Sequence, residues 1–150
     1  MVKENHFKRI RKMKKLIVGI AIFLCSGIAS AQNGLTLDIT GVNKQGGKLH
    51  ISFFNSEKSY DARKIYYSVV TNSIAETVSI PVTLPSGGYV ITIYQDSNGN
   101  GELDSIFLGI PREPFGFSNY KAKSAPDSFG KLKVLVNDTT KKLTVHLFKI

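Results

Sequence analysis

Nine consecutive residues, Asp96-Ser97-Asn98-Gly99-Asn100-Gly101-Glu102-Leu103-Asp104, put oxygen-bearing side chains at positions one, three, five and nine, with glycine at six. Alternate side chains of a tight loop turn toward a common centre, and a hard cation such as calcium takes six to eight oxygens at about 2.3–2.6 Å. The expected ligands are Asp96, Asn98, Asn100, the backbone carbonyl of Glu102, and Asp104, with Gly101 allowing the sharp turn. Position twelve is Phe107, so a bidentate carboxylate has to come from elsewhere. Glu113 is the candidate, because the chain doubles back nearby. The competing reading is a plain hairpin turn, for which two Asn-Gly pairs are favoured chemistry. It accounts for Gly99 and Gly101 but not for Asp96 and Asp104 at their offsets. A phosphate cradle is disfavoured, since neither lysine nor a helix start follows the glycines. On the calcium reading, Asp96→Ala is expected to cost little without the ion, as no core contact is lost.

Other residue types offer less. His50 and His146 fall on the outward phase of their strands and read as solvated side chains. Ser118 lacks the second glycine of a Gly-x-Ser-x-Gly elbow and reads as a residue that caps or pins its loop. Tyr60, Tyr66, Tyr67, Phe115, Phe117 and Tyr120 form either core or a binding platform. Asp96, Glu102, Asp104 and Glu113 contain enough carboxylates for a glycosidase acid–base pair. The alternative to a binding module is therefore a hydrolase acting on an envelope polymer through Asp104 or Glu113.

The elements that must position this loop are strands. Apolar residues alternate with polar ones at Leu35, Leu37, Ile39; at Leu49, Ile51, Phe53; at Val78, Ile80, Val82; at Leu132, Val134, Val136; and at Leu143, Val145, Leu147. Residues 89–94 are apolar at nearly every position and read as a central strand covered on both faces. Residues 56–75 fit neither period and hold one irregular strand or a helical turn. Residues 108–129, rich in Gly, Pro and Ser, read as a long ordered loop. The expected fold is all-β: an antiparallel β-sandwich, immunoglobulin-like or prealbumin-like, of about seven strands.

Of a formal charge of +9, most lies in front of residue 32, where seven basic groups face one acid. Residues 32–150 hold 13 basic and 10 acidic residues, too little excess for a nucleic-acid partner. Residues 1–31 have a basic start, an apolar stretch at 16–24 and small residues at Ala29, Ser30 and Ala31, the three parts of a secretory signal. Cleavage after Ala31 leaves a single domain, 32–150, with no membrane span and no cysteine, since Cys25 goes with the leader. The protein is expected in the periplasm or outside the cell, with calcium as a structural cofactor. An envelope protein or polysaccharide is its expected partner, and the oligomeric state is left open.

The loop, departing at Phe107 from a helix–loop–helix hand, resembles the shorter calcium repeats of dockerins and thrombospondin-type modules. A wider resemblance covers Leu84-Pro85-Ser86-Gly87-Gly88-Tyr89, the strand to Gln95, the loop itself, and Gly109-Ile110-Pro111-Arg112-Glu113-Pro114-Phe115-Gly116-Phe117-Ser118-Asn119. Together with Pro126 and Phe129, these are similar to the bacterial domain-of-unknown-function family 2141. The resemblance implies a small exported β-rich protein and no assigned activity.

Overall fold

The computed structural model describes residues 31–106, 111–121 and 127–149. The leader assigned to residues 1–31 lies, apart from Ala31, outside the described residues, as do Phe107, Gly109, Ile110 and Pro126.

Strand β1 (Gln32–Thr40) buries Asn33, Leu35, Leu37 and Ile39 and exposes or half-exposes the residues between. Strand β2 (Lys48–Phe54) buries Leu49, Ile51 and Phe53 in the same rhythm, as period-two side-chain alternation requires. A one-turn helix, α1 (Glu57–Asp61), follows, with Ser56 and Ser59 closing a reciprocal capping box. Strands β3 (Tyr67–Asn72), β4 (Thr77–Pro85) and β5 (Gly87–Asp96) come next. The chain ends with β6 (Phe115–Phe117), the short helix α2 (Phe129–Leu132), β7 (Val134–Val136) and β8 (Lys142–His146).

These strands make two sheets, one in the order β4-β1-β8 and one in the order β3-β2-β5-β6, with β7 also pairing β5. Leu35, Leu37, Ile39, Val78, Ile80 and Val82 of the first sheet and Leu49, Ile51, Phe53, Ile91 and Ile93 of the second share one apolar core. The fold is thus an all-β sandwich. Each fully buried Leu, Ile or Phe there contributes about 1.5–3 kcal/mol relative to exposure.

Four differences from the sequence pattern have physical causes. The described residues form eight strands rather than about seven, because β6 lies inside the stretch read as loop, where three residues are too few to show alternation. β8 runs parallel to β1, from Thr36↔Lys142 to Thr40↔His146, so the sandwich is not wholly antiparallel. Leu132 belongs to α2, and the strand expected to begin there starts at Val134. Residues 56–75 contain both a helical turn and a strand.

β5 is interior, as its apolar run implies: β2 pairs along one edge from Lys48↔Asp96 to Phe54↔Val90, and β6 and β7 share the other. Its first half is covered on both faces. Ile91 and Ile93 enter the main core, while Val90 packs with Phe54, Phe129 and Leu132 in a second cluster that Tyr60, Phe117 and Tyr120 flank. Ser118 joins the two halves of that cover. Its buried hydroxyl accepts the Ile91 N–H at 3.0 Å and donates to the Leu132 carbonyl at 2.7 Å.

Candidate functional site

The 96–104 loop leaves the end of β5, where the strand presents two buried polar residues, Gln95 and Asp96, on opposite faces. Gln95 is fixed by reciprocal bonds to the backbone of Asn43, Nε2 to the carbonyl at 2.6 Å and Oε1 from the N–H at 2.9 Å. Beside them Gly47, at φ +95°, brings its backbone so close to Asp96 that a Cβ there would lie 1.9 Å from the Asp96 carbonyl oxygen. A side chain is excluded at that position by both space and backbone conformation.

Asp96 organises the loop. Its Oδ1 accepts the N–H of Gly99 at 2.7 Å and of Asn100 at 3.2 Å, and its Oδ2 accepts the N–H of Gly101 at 2.9 Å. Burial works against its charge, but these three N–H groups and the nearby His50 ring outweigh it and hold the carboxyl below the ordinary aspartate range. Asn98 Oδ1 accepts the Asn100 N–H, and Asn100 Oδ1 accepts the Glu102 N–H, two successive Asx turns. Gly99 and Gly101 both take φ +79°, which a hairpin of this shape requires. The side chains at positions one, three and five therefore point into the loop.

Asp104 closes the ring by accepting the Nδ2 groups of Asn98 and Asn100, the latter at 3.2 Å. Glu113, buried and nine residues further on, is brought to the same loop. Its Oε1 accepts the Ser97 N–H at 2.7 Å and its Oε2 the Asp104 N–H at 3.2 Å. Arg112 N–H to the Asp104 carbonyl at 2.8 Å and an isolated bridge between Ser105 and Pro111 hold the two chain segments side by side. Glu102 contributes its backbone only, and its side chain is exposed.

The residues assigned to the loop from its spacing are thus neighbours in space, Glu113 included. Among the described residues, no three His, Cys, Asp or Glu side chains converge on one point. Ligation of an ion would have to draw on the Asn oxygens and the Glu102 carbonyl, and would require Asp104 to exchange the two amide donors for the ion. The donor set is entirely oxygen, which suits calcium.

A profile for a family described as "Uncharacterized protein conserved in bacteria (DUF2141)" matches residues 37–144. The chain belongs to DUF2141. No curated protein and no solved structure matches it. The matched span of this DUF2141 chain runs from β1 into β8 and contains the whole loop together with Glu113 and Ser118.

Two residues of the site went unrecognised in the sequence. His50 reads there as a solvated strand histidine, but its ring stacks on Tyr94 with centroids 4.7 Å apart. Its Nε2 lies 3.6 Å from Asp96 Oδ2, buried and without a hydrogen bond. The cross-strand pairs His50↔Tyr94 and Lys48↔Asp96 put His50, Tyr94 and Asp96 on one face. Tyr94 donates its hydroxyl to the Gly101 carbonyl at 2.7 Å. Burial, and then the charges of Asp96, Glu113 and Glu102, push its phenol up. The only signal for either residue was the alternation that places Tyr94 two positions before Asp96. His146 is exposed as expected, bonded through Nδ1 to Thr40 Oγ1 at 2.9 Å. The aromatic residues divide: Phe115 is buried, Tyr60, Phe117 and Tyr120 are half-buried, and Tyr66 and Tyr67 are exposed.

Proposed function

We propose that this protein is an exported, non-enzymatic interaction module of the bacterial envelope whose 96–104 loop takes calcium as a structural ion. The observation that carries the reading is the shape of the loop. Asp96 collects the N–H groups of Gly99, Asn100 and Gly101, and Asx turns at Asn98 and Asn100 aim the alternate side chains inward. Calcium would take oxygens of Asp96, Asn98, Asn100, Asp104 and the Glu102 carbonyl, with Glu113 approaching from the neighbouring segment. In that role the ion ties the end of β5 to residues 111–117 and so fixes the surface they form. An envelope protein or polysaccharide is the partner this location implies.

With two or three carboxylates the site belongs to the weak extracellular class, about 10⁻⁴–10⁻³ M. At calcium ten times the dissociation constant, linkage gives roughly 1.4 kcal/mol. For about 119 residues at an unfolding entropy near 2.1 cal/mol/K each, that is a rise in Tm of about 5–6 °C. A thermal melt of stripped protein in calcium and in chelator measures it. Equal melting temperatures would leave the loop a hydrogen-bonded turn and nothing more. Cleavage of a purified envelope polymer by the wild type but not by Asp104→Asn would replace the module with a hydrolase. Mass spectrometry of envelope-fraction protein tests export, with an N-terminus expected at Gln32.

A further inference from the structure

An exposed strand edge offers backbone N–H and C=O groups to any other strand, and folded proteins blunt such edges with proline, charge or brevity. Among the described residues, the other outer strands are blunted: β4 carries Pro81 and Pro85, β8 carries Lys142, β6 is three residues long and bridged at Phe115 to Phe148, and β7 is three residues long. β3 is not. Residues 65–74, Ile-Tyr-Tyr-Ser-Val-Val-Thr-Asn-Ser-Ile, contain no charge, no proline and no glycine. Val70 is 53% exposed and Ile74 71%, high values for aliphatic side chains in and beside a strand.

The register on β2 fixes which peptide groups are open. β3 pairs from Lys48↔Asn72 to Phe53↔Tyr67, and the Ser73 N–H donates to the Gly47 carbonyl at the same register. Antiparallel ladders alternate, so Val69 and Thr71 bond toward β2, and the N–H and C=O of Ser68, Val70 and Asn72 face outward.

We infer that β3 is a self-association edge, at which two copies of this chain pair antiparallel about a two-fold axis through Val70 to form a continuous sheet across the dimer. Two features select a second copy as the occupant. First, the charges flanking the strand are complementary to themselves when reversed. Arg63 and Lys64 precede it and Glu76 follows it, so antiparallel pairing brings the basic end of each copy to the acidic end of the other. Second, an isologous antiparallel ladder requires one residue to oppose itself. With Val70 in that position, its outward N–H and C=O exchange with those of the other copy, and Ser68 opposes Asn72. A centre at Val69 would use the same outward groups but oppose Ser68 to Val70, a register that would not cross-link Val70→Cys to itself. The edge lies on the opposite side of β2 from β5, so the inference does not rest on calcium.

Sedimentation velocity of the purified protein across a dilution series is the test. The wild type is expected to pass from monomer to dimer within about 1–100 μM. Val70→Lys sets two ammonium groups opposite each other on the axis and should weaken the dimer about tenfold or more, while Val70→Thr, which keeps β-branching, retains it. A Tm for Val70→Lys close to wild type shows that the change acts on association. The register is read by mild oxidation in a Cys25→Ser background. Val70→Cys should form an intermolecular disulfide across a Cα separation of about 5.5 Å, whereas Ser68→Cys, which faces Asn72, should not. A wild type that stays monomeric at about 100 μM overturns the inference. So does a dimer indifferent to Val70→Lys, or equally fast cross-linking at positions 68 and 70.

Discussion

Replacing Ser118 with alanine removes one oxygen atom and should destabilise the whole domain. The hydroxyl bridges the central strand and the α2 turn that covers its outer face, accepting from the Ile91 N–H at 3.0 Å and donating to the Leu132 carbonyl at 2.7 Å. Ile91 is fully buried, and Ser118 and Leu132 are each 1% exposed, so water cannot take its place without opening the cluster. Each buried polar group left without a partner costs about 1–3 kcal/mol. With some relaxation, two such groups amount to roughly 2–4 kcal/mol. At about 0.25 kcal/mol/K of unfolding entropy for a domain of this length, Tm should fall by about 8–16 °C. Differential scanning calorimetry gives the shift, and amide hydrogen exchange locates it. Protection at Ile91 should drop more than at Ile93, which lies on the same strand but is not bonded to Ser118. A Tm loss under about 3 °C, or equal loss of protection at both amides, would refute the assignment of Ser118 as the pin.

Gly47→Ala puts a Cβ 1.9 Å from the Asp96 carbonyl oxygen at a backbone φ of +95°, and should cost at least about 2 kcal/mol, seen as a lower denaturation midpoint in urea. Asp38 is held below the ordinary aspartate range by its hydrogen bonds to Lys142 and Ser79, against burial. A depressed folded-state value stabilises above the unfolded value of about 3.9 and is lost as pH falls through the folded one, so Asp38→Asn should flatten the acid limb of the stability curve below about pH 4. Asp96→Ala should lower Tm in chelator as well as in calcium, because three loop N–H groups lose their acceptor. This revises the small cost that the spacing alone suggests.

The sheet frame was legible because burial on one face imposes period two. Leu35, Leu37 and Ile39 or Val78, Ile80 and Val82 cannot all reach a core in any other local conformation. What escaped was set by pairing rather than pattern. β6 has three residues, and Phe115, Gly116 and Phe117 form a strand because β5 offers an edge from Thr92 to Tyr94 and Phe148 bridges Phe115 from the other side. The parallel placement of β8 against β1 depends on the path of a hundred intervening residues and leaves no mark on the local sequence. Leu132 fits the alternation of Val134 and Val136, yet the helical turn that begins after Ser128 captures it, and it is buried in the second cluster instead.

The loop divides along the same line. Its own residues were legible, since the Asx chemistry of Asn98 and Asn100 and the positive φ of Gly99 and Gly101 act over two or three positions. Glu113 was reachable by reasoning that the chain returns, but its role was not. It accepts the N–H groups of Ser97 and Asp104 with both oxygens, so it already serves as the clasp of the loop before any ion is considered. His50 lay beyond reach for a different reason. An outward phase on a strand specifies a face, and only the register with β5 reveals that this face is occupied by Tyr94 and approached by Asp96. A polar residue on the exposed phase of an interior strand pair should therefore be read against the cross-strand neighbours that the pairing supplies. Here that reading turns a solvated histidine into the wall of the loop.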